Sequence, residues 1–198
     1  MRRLIHALDR MLRRRLQLEE VCDDLRCMFR MRRIAAPMDL DLDGREVSAG
    51  APVVELHFWN EHFPPVPEGG PSLRWGLEGR KRVDFSCTAL AERLTNDPDL
   101  TDIRALGGTT PLFTVGDGST WERLFRRLGF RLSPHPEGPG EFWQRLYAWL
   151  IMWGFNVGAR GPRRLRDVHR TDFWISTEDF VERHGSGGGR PTAPVDRG

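Results

Sequence analysis

The stretch VVELHFWN, Val53 to Asn60, decides how the rest of the chain is read. It is rich in β-branched and aromatic residues, which fit a pleated, half-buried surface. Side chains alternate along a strand, so Val54, Leu56 and Phe58 share one face, with Asn60 just beyond. Val53, Glu55, His57 and Trp59 share the other. Glu55 and His57 are thereby neighbours, near enough for a carboxylate to orient an imidazole, as a general-base pair requires. Two readings stay open: a core strand with a hydrogen-bonded, half-buried His57, or one wall of a ligand or catalytic pocket. Zinc chemistry is disfavoured. His57, Glu61 and His62 are spaced HxxxEH on a strand, whereas HExxH and HxxEH need a helix that stacks its ligands.

On either side, other short elements follow in alternation. MDLDLDGREV alternates Met38, Leu40 and Leu42 with Asp39, Asp41 and Asp43, and Asp43-Gly44 signals a tight hairpin turn. Residues 18–36 fit a helix or a strand. PPVPEGGPS is a loop. Residues 82–97 have the period of an amphipathic helix around Phe85, Leu90, Ala91 and Leu94. DIRALGGTTPLFTV predicts a short strand, a glycine turn and a second strand, and GGTTPLF there could also form an amide nest for an anion. Ser119 or Thr120 caps TWERLFRRLGF, which stops at Gly129. FRLSPH and DFWIS are strands, and Thr177 to His184 is a last helix. The order predicts a single α+β domain over residues 1–184, a mixed or antiparallel sheet covered by helices. Residues 185–198 lack apolar periodicity and are expected to be a disordered tail.

Two helices carry unusual compositions. Residues 2–17 set Leu4, Leu8 and Leu16 among six arginines, a cationic amphipathic pattern that suits a domain surface or an anionic lipid surface. Residues 141–155, EFWQRLYAWLIMWGF, are apolar nearly all round. That favours a core helix, with an interfacial or lipid-pocket helix as the alternative. Fifteen residues extend about 22 Å, short of a hydrocarbon core. Arg145 inside this stretch must be paired and would make an anion anchor.

Composition bounds the function. Of 30 basic residues only Lys81 is lysine, an imbalance best explained by a GC-rich coding bias. Arginines crowd residues 2–33 and 160–170, which permits nucleic acid as a partner, although no nucleic-acid module is recognisable. Cys22, Cys27 and Cys87 include no CxxC pair, and no secretory signal is evident, so reduced thiols in the cytoplasm are expected. No P-loop, GxGxxG or GxSxG is present, and no cofactor or metal site is expected.

The order DRMLRRRL, LDGREVSAGAPVVELHFWNEHF, ALAERL, RALGGTTPLF, RRLGFRL, a Trp/Tyr-rich helix and FWIS resembles the YkoP-like domain family of bacteria over about residues 5–184. Its most specific pieces are ELHxxN (Glu55, Leu56, His57, Asn60), the GxT turn (Gly108, Thr110) and the LGF block (Leu128, Gly129, Phe130). The resemblance implies a cell-envelope or surface-polysaccharide setting, because members occur alone or beside polysaccharide-deacetylase domains. It implies no activity, and the chain has no TFDDG-like segment of a deacetylase. The expectation is thus a non-catalytic accessory or binding domain, cytoplasmic or peripheral at the inner membrane face. Its ligand would be an anionic or lipid-linked glycan precursor, and a partner enzyme is implied. Candidate ligand residues are His57, Asn60, Thr110, His135 and Arg145. The alternatives are a small hydrolase or transferase using Glu55 and His57, and a nucleic-acid-binding protein.

Overall fold

A computed structural model describes residues 18–58, 62, 64, 67, 72–111, 118–136, 138, 140, 142–146, 148–149 and 168–185. Its centre is a six-stranded mixed sheet. The strands are β1 (Glu19–Glu20), β2 (Phe29–Ala35), β5 (Pro52–Phe58), β6 (Ala105–Thr110), β7 (Arg131–Pro134) and β8 (Thr171–Ser176), in the spatial order β1-β2-β5-β6-β8-β7. A separate hairpin pairs β3 (Leu40–Leu42) with β4 (Arg45–Val47). The α+β expectation of a mixed sheet with helices holds.

β5 and β6 run parallel, with Val53 beside Ala105 and Glu55 beside Gly107. A parallel pair needs a crossover, and the helix α1 (Leu73–Asn96) supplies it. Ser72 caps that helix by accepting from the Trp75 amide. The helix therefore begins nine residues before the expected start at Arg82. Its first turns carry Leu73 and Leu77 on an exposed face, so apolar periodicity gave no signal there. Further along, Val83, Cys87, Leu90, Ala91 and Leu94 form the buried stripe. Ser86 interrupts the stripe, and its hydroxyl accepts from the Met28 amide (2.8 Å) while donating to the Arg82 carbonyl (2.6 Å). That fixes the start of β2 against the helix.

The stripe packs on one sheet face with Phe29, Met31, Val54, Leu56, Leu106, Phe173 and Ile175. Helix α2 (Gly118–Arg127) adds Phe125, and helix α3 (Thr177–His184) adds Phe180. Phe125 meets Phe173 edge-on at 5.1 Å between ring centres, and Phe130 meets Phe173 at 5.4 Å. Gly129 ends α2 at φ +96°. Residues 18–36 hold two strands, β1 and β2, joined by a turn-rich segment, and β2 alternates core-facing Phe29 and Met31 with Arg30 and Arg32. The turn at Asp43-Gly44 has positive φ at both residues, 55° and 90°, as a two-residue hairpin loop demands.

One expectation fails. Gly107 to Thr110 is no turn or anion nest: β6 runs unbroken beside β8, Ala105 to Thr110 against Ser176 to Thr171. In the 141–155 stretch, the described residues 142–146 and 148–149 are helical, yet Phe142 and Trp143 are 58% and 69% exposed. The first turn of that helix therefore lies outside the core. Residues 150–155 lie outside the described set, as do the cationic segment 2–17 and residues 186–198 of the tail. Among described residues no helix is long and apolar enough to cross a membrane.

The cysteines are free thiols. Burial, with help from neighbouring Cys27, pushes the Cys22 thiol up to about 12, and burial pushes Cys87 up as well. Thiols so shifted are poor nucleophiles. The aromatic cluster generates a test: Phe125→Ala opens a cavity between the helices and the sheet and should cost about 3–5 kcal/mol. Denaturant titration would record this as a lower midpoint with an unchanged slope.

Candidate functional site

The second sheet face is covered unevenly. The β3–β4 hairpin buries its first part, where Leu40, Leu42 and Val47 pack with Val53, Ala105 and Trp174. Beyond that point the same face turns polar. On β2 and β5, Arg30 pairs with His57 and Arg32 with Glu55. On β6 and β8, Gly107 pairs with Trp174 and Thr109 with Asp172. Asp172 in turn pairs with Ser133 of β7. Strand alternation puts these side chains on the hairpin side.

Glu55 and His57 do meet, as the alternation predicts. Their side chains are 20% and 30% exposed, and His57 Nε2 lies 2.9 Å from a Glu55 oxygen. Arg32 forms an ion pair with the same carboxylate. Burial alone would raise the Glu55 pKa, but the hydrogen bond and charge of His57, then those of Arg32, outweigh it and hold the carboxyl at about 2. Glu55 therefore stays ionised at neutral pH and exchanges no proton there. Its role is to fix His57 and Arg32.

A second carboxylate–imidazole pair lies across the sheet. Both oxygens of Asp172 face His135 Nδ1, at 2.8 and 3.0 Å. The Thr109 hydroxyl donates to Asp172 at 2.5 Å. The His135 amide donates to the Arg170 carbonyl at 3.1 Å, which carries the β7–β8 ladder one residue past Pro134. Three strands thus converge on one buried carboxylate. Gly107 lies between the two pairs under the Trp174 ring. A Cβ there would run into the Phe173 carbonyl and come within 2.7 Å of the Trp174 ring, so only glycine lets β6 approach β8.

The remaining candidates scatter. Thr110 is buried on the helix-facing side, one residue out of phase, and Thr109 takes the place expected of it. Arg145 is half-buried on the helical residues 142–146 and engaged within the fold. Asn60 and Glu61 lie outside the described residues. His62 Nδ1 donates to the Cys27 carbonyl at 2.7 Å, a structural bond. Among described residues no group of three His, Cys, Asp or Glu is placed to hold a metal. Arg32, Thr109 and Asp172 were not expected. The available signal was Asp172 itself, an acid inside the otherwise apolar run DFWI.

Fold and face together define a small α+β domain with a polar half-face on a mixed sheet. The chain matches the family model of the YkoP domain over residues 1–184 and belongs to that family. No curated protein and no solved structure matches it.

The depressed carboxyl of Glu55 sets a pH dependence. A group whose folded pKa lies below its ordinary 4.5 contributes stability above that value and loses it as pH falls toward about 2. The contribution is about 2–3 kcal/mol. Glu55→Gln should lower stability near neutrality by about that amount and flatten the acid limb between pH 4.5 and 2. Urea titrations at several pH values would measure both, and parallel limbs for the two proteins would refute the assignment.

Proposed function

We propose that this YkoP domain is a binding domain whose ligand sits on the polar half of the second sheet face, with Arg32 and His57 as its main contacts. One observation carries the reading. The hairpin stops short, and beyond it Arg32, Glu55 and His57 stand partly open to solvent on the sheet surface. Arg32 gives the ligand a cation. The His57 Nδ1 atom makes no hydrogen bond within the described residues and adds a donor or acceptor. An anionic, hydroxyl-rich molecule suits that set, and the family resemblance favours a cell-envelope glycan, free or lipid-linked. In this reading a separate enzyme modifies the ligand, and the cationic segment 2–17 rests on anionic lipid at the inner membrane face.

Two alternatives have less support. Glu55 is neutralised by Arg32, which weakens an acid/base role for Glu55 and His57. Nucleic-acid binding needs arginines free on one surface. Among the described arginines, Arg26 pairs with Asp24, Arg30 with Glu20 and Arg33 with Asp102.

The test is a titration of the intact chain with a glucuronate-containing oligosaccharide, followed by amide chemical shifts. Shifts should centre on residues 55–57 and 107–109, and Arg32→Ala should weaken binding about tenfold, or 1.4 kcal/mol. Shifts confined to other surfaces would remove the proposal. A companion experiment floats the chain, with and without residues 1–17, on neutral and anionic vesicles at physiological salt. Flotation of the intact chain alone on anionic vesicles is expected.

A further inference from the structure

The two carboxylate–imidazole pairs are not equivalent. Glu55 has two partners, His57 and the Arg32 guanidinium. Among described residues Asp172 has Thr109 and His135 and no arginine. Its side chain is 7% exposed, against 23% for His135. A positive charge that develops on His135 during proton transfer would therefore face a buried carboxylate that no described arginine compensates. The nitrogen used also differs. His57 spends Nε2 on its carboxylate, whereas His135 spends Nδ1 and leaves Nε2, the atom farthest from the backbone, without a hydrogen-bond partner among described residues. Nδ1 held by a carboxylate with Nε2 directed outward is the arrangement that serves proton transfer in triad enzymes.

The surroundings narrow the substrate. A phosphoryl group would need a cation beside His135, and among described residues Arg170, whose carbonyl accepts from the His135 amide, turns its guanidinium to the Gln144 side-chain oxygen. An uncharged acyl group makes no such demand. Gln144 also ties the helical residues 142–146 to the end of β8, so exposed Phe142 and Trp143, packed edge-on at 5.3 Å, stand within a turn of that contact. They are exposed apolar surface on the helical residues that Gln144 joins to Arg170, the residue whose carbonyl accepts from the His135 amide.

We propose that His135, oriented by Asp172 and Thr109, is a general base that hydrolyses carboxylic esters bearing an apolar acyl or alcohol group. Nε2 takes a proton from a water as the water oxygen bonds to the ester carbonyl carbon. The Nδ1 hydrogen stays on the ring, and Asp172 stabilises the imidazolium. When the tetrahedral intermediate collapses, the carbon–oxygen bond to the leaving alcohol breaks and Nε2 returns the proton to that oxygen. Ester and water become acid and alcohol, with no further reactant. His135 touches the reacting water, while Asp172 and Thr109 are positioning residues.

The experiment uses the full chain and p-nitrophenyl butyrate, with nitrophenolate release followed between about pH 5 and 9, the range in which an imidazole changes charge. The wild type should exceed free imidazole at equal concentration. His135→Gln should lose about 100-fold in rate, the lower range for a general base. His169→Gln, an exposed histidine outside the pair, should match the wild type. Asp172→Asn should lower the rate, alter the pH profile and abolish the downfield proton resonance of His135 Nδ1. Circular dichroism of each variant separates lost catalysis from lost fold. Should Asp172→Asn unfold, His135→Gln alone decides, because His135 sits partly exposed at a strand end. The proposal is overturned if the wild type does no better than imidazole, or if His135→Gln keeps the wild-type rate. Either result is independent of the oligosaccharide titration.

Discussion

The parallel pairing of β5 with β6 governs this molecule. Two adjacent parallel strands cannot be joined by a turn, so the chain must leave the sheet and return over one face. α1 makes that return and covers the face together with α2 and α3. The opposite face then has to be covered by something else, and the hairpin is what the sequence provides. Its strands are three residues long against seven in β5. At about 3.3 Å per residue it spans roughly 10 Å of a 23 Å strand. Beyond the hairpin the face carries Arg32, Glu55 and His57, partly open to solvent, and the buried carboxylate of Asp172.

Much of this was legible in sequence, for physical reasons. Alternation in VVELHFWN placed Glu55 and His57 together because a pleated strand leaves no other choice. Asp43-Gly44 announced its turn because few residues accept positive φ. Pairing across strands was another matter. Nothing local to Thr109 says that it lies beside Asp172, 63 positions away, because register depends on the whole core closing at once. The misjudged GGTT has a similar cause. Two glycines ordinarily mark a turn, yet here Gly107 is required by the close approach of another strand. Thr109 and Thr110 then exchange roles according to which residue faces the helices.

The aromatic helix shows a limit of composition. A run crowded with Trp and Phe suggests burial, since most large apolar area in a domain is hidden. Phe142 and Trp143 are nonetheless presented to solvent beside the sheet edge. Hydrophobicity records what a side chain would gain by leaving water. It does not record whether the partner belongs to the same chain.

The hairpin is also independent of the main ladder, since its strands pair only with each other and it rests on the sheet through side chains. Ionic contacts hold its tip, Arg131 to Asp41 and Asp43, and Arg45 to Glu178 and Asp179. Such a piece can change length without disturbing the register of any sheet strand. Two residues added to each arm would shade one more row of the face beneath, and two removed would bare one. Chains of this fold thus possess an awning whose reach is set by residue count, and the size of the exposed polar field can drift between them while the core stays the same.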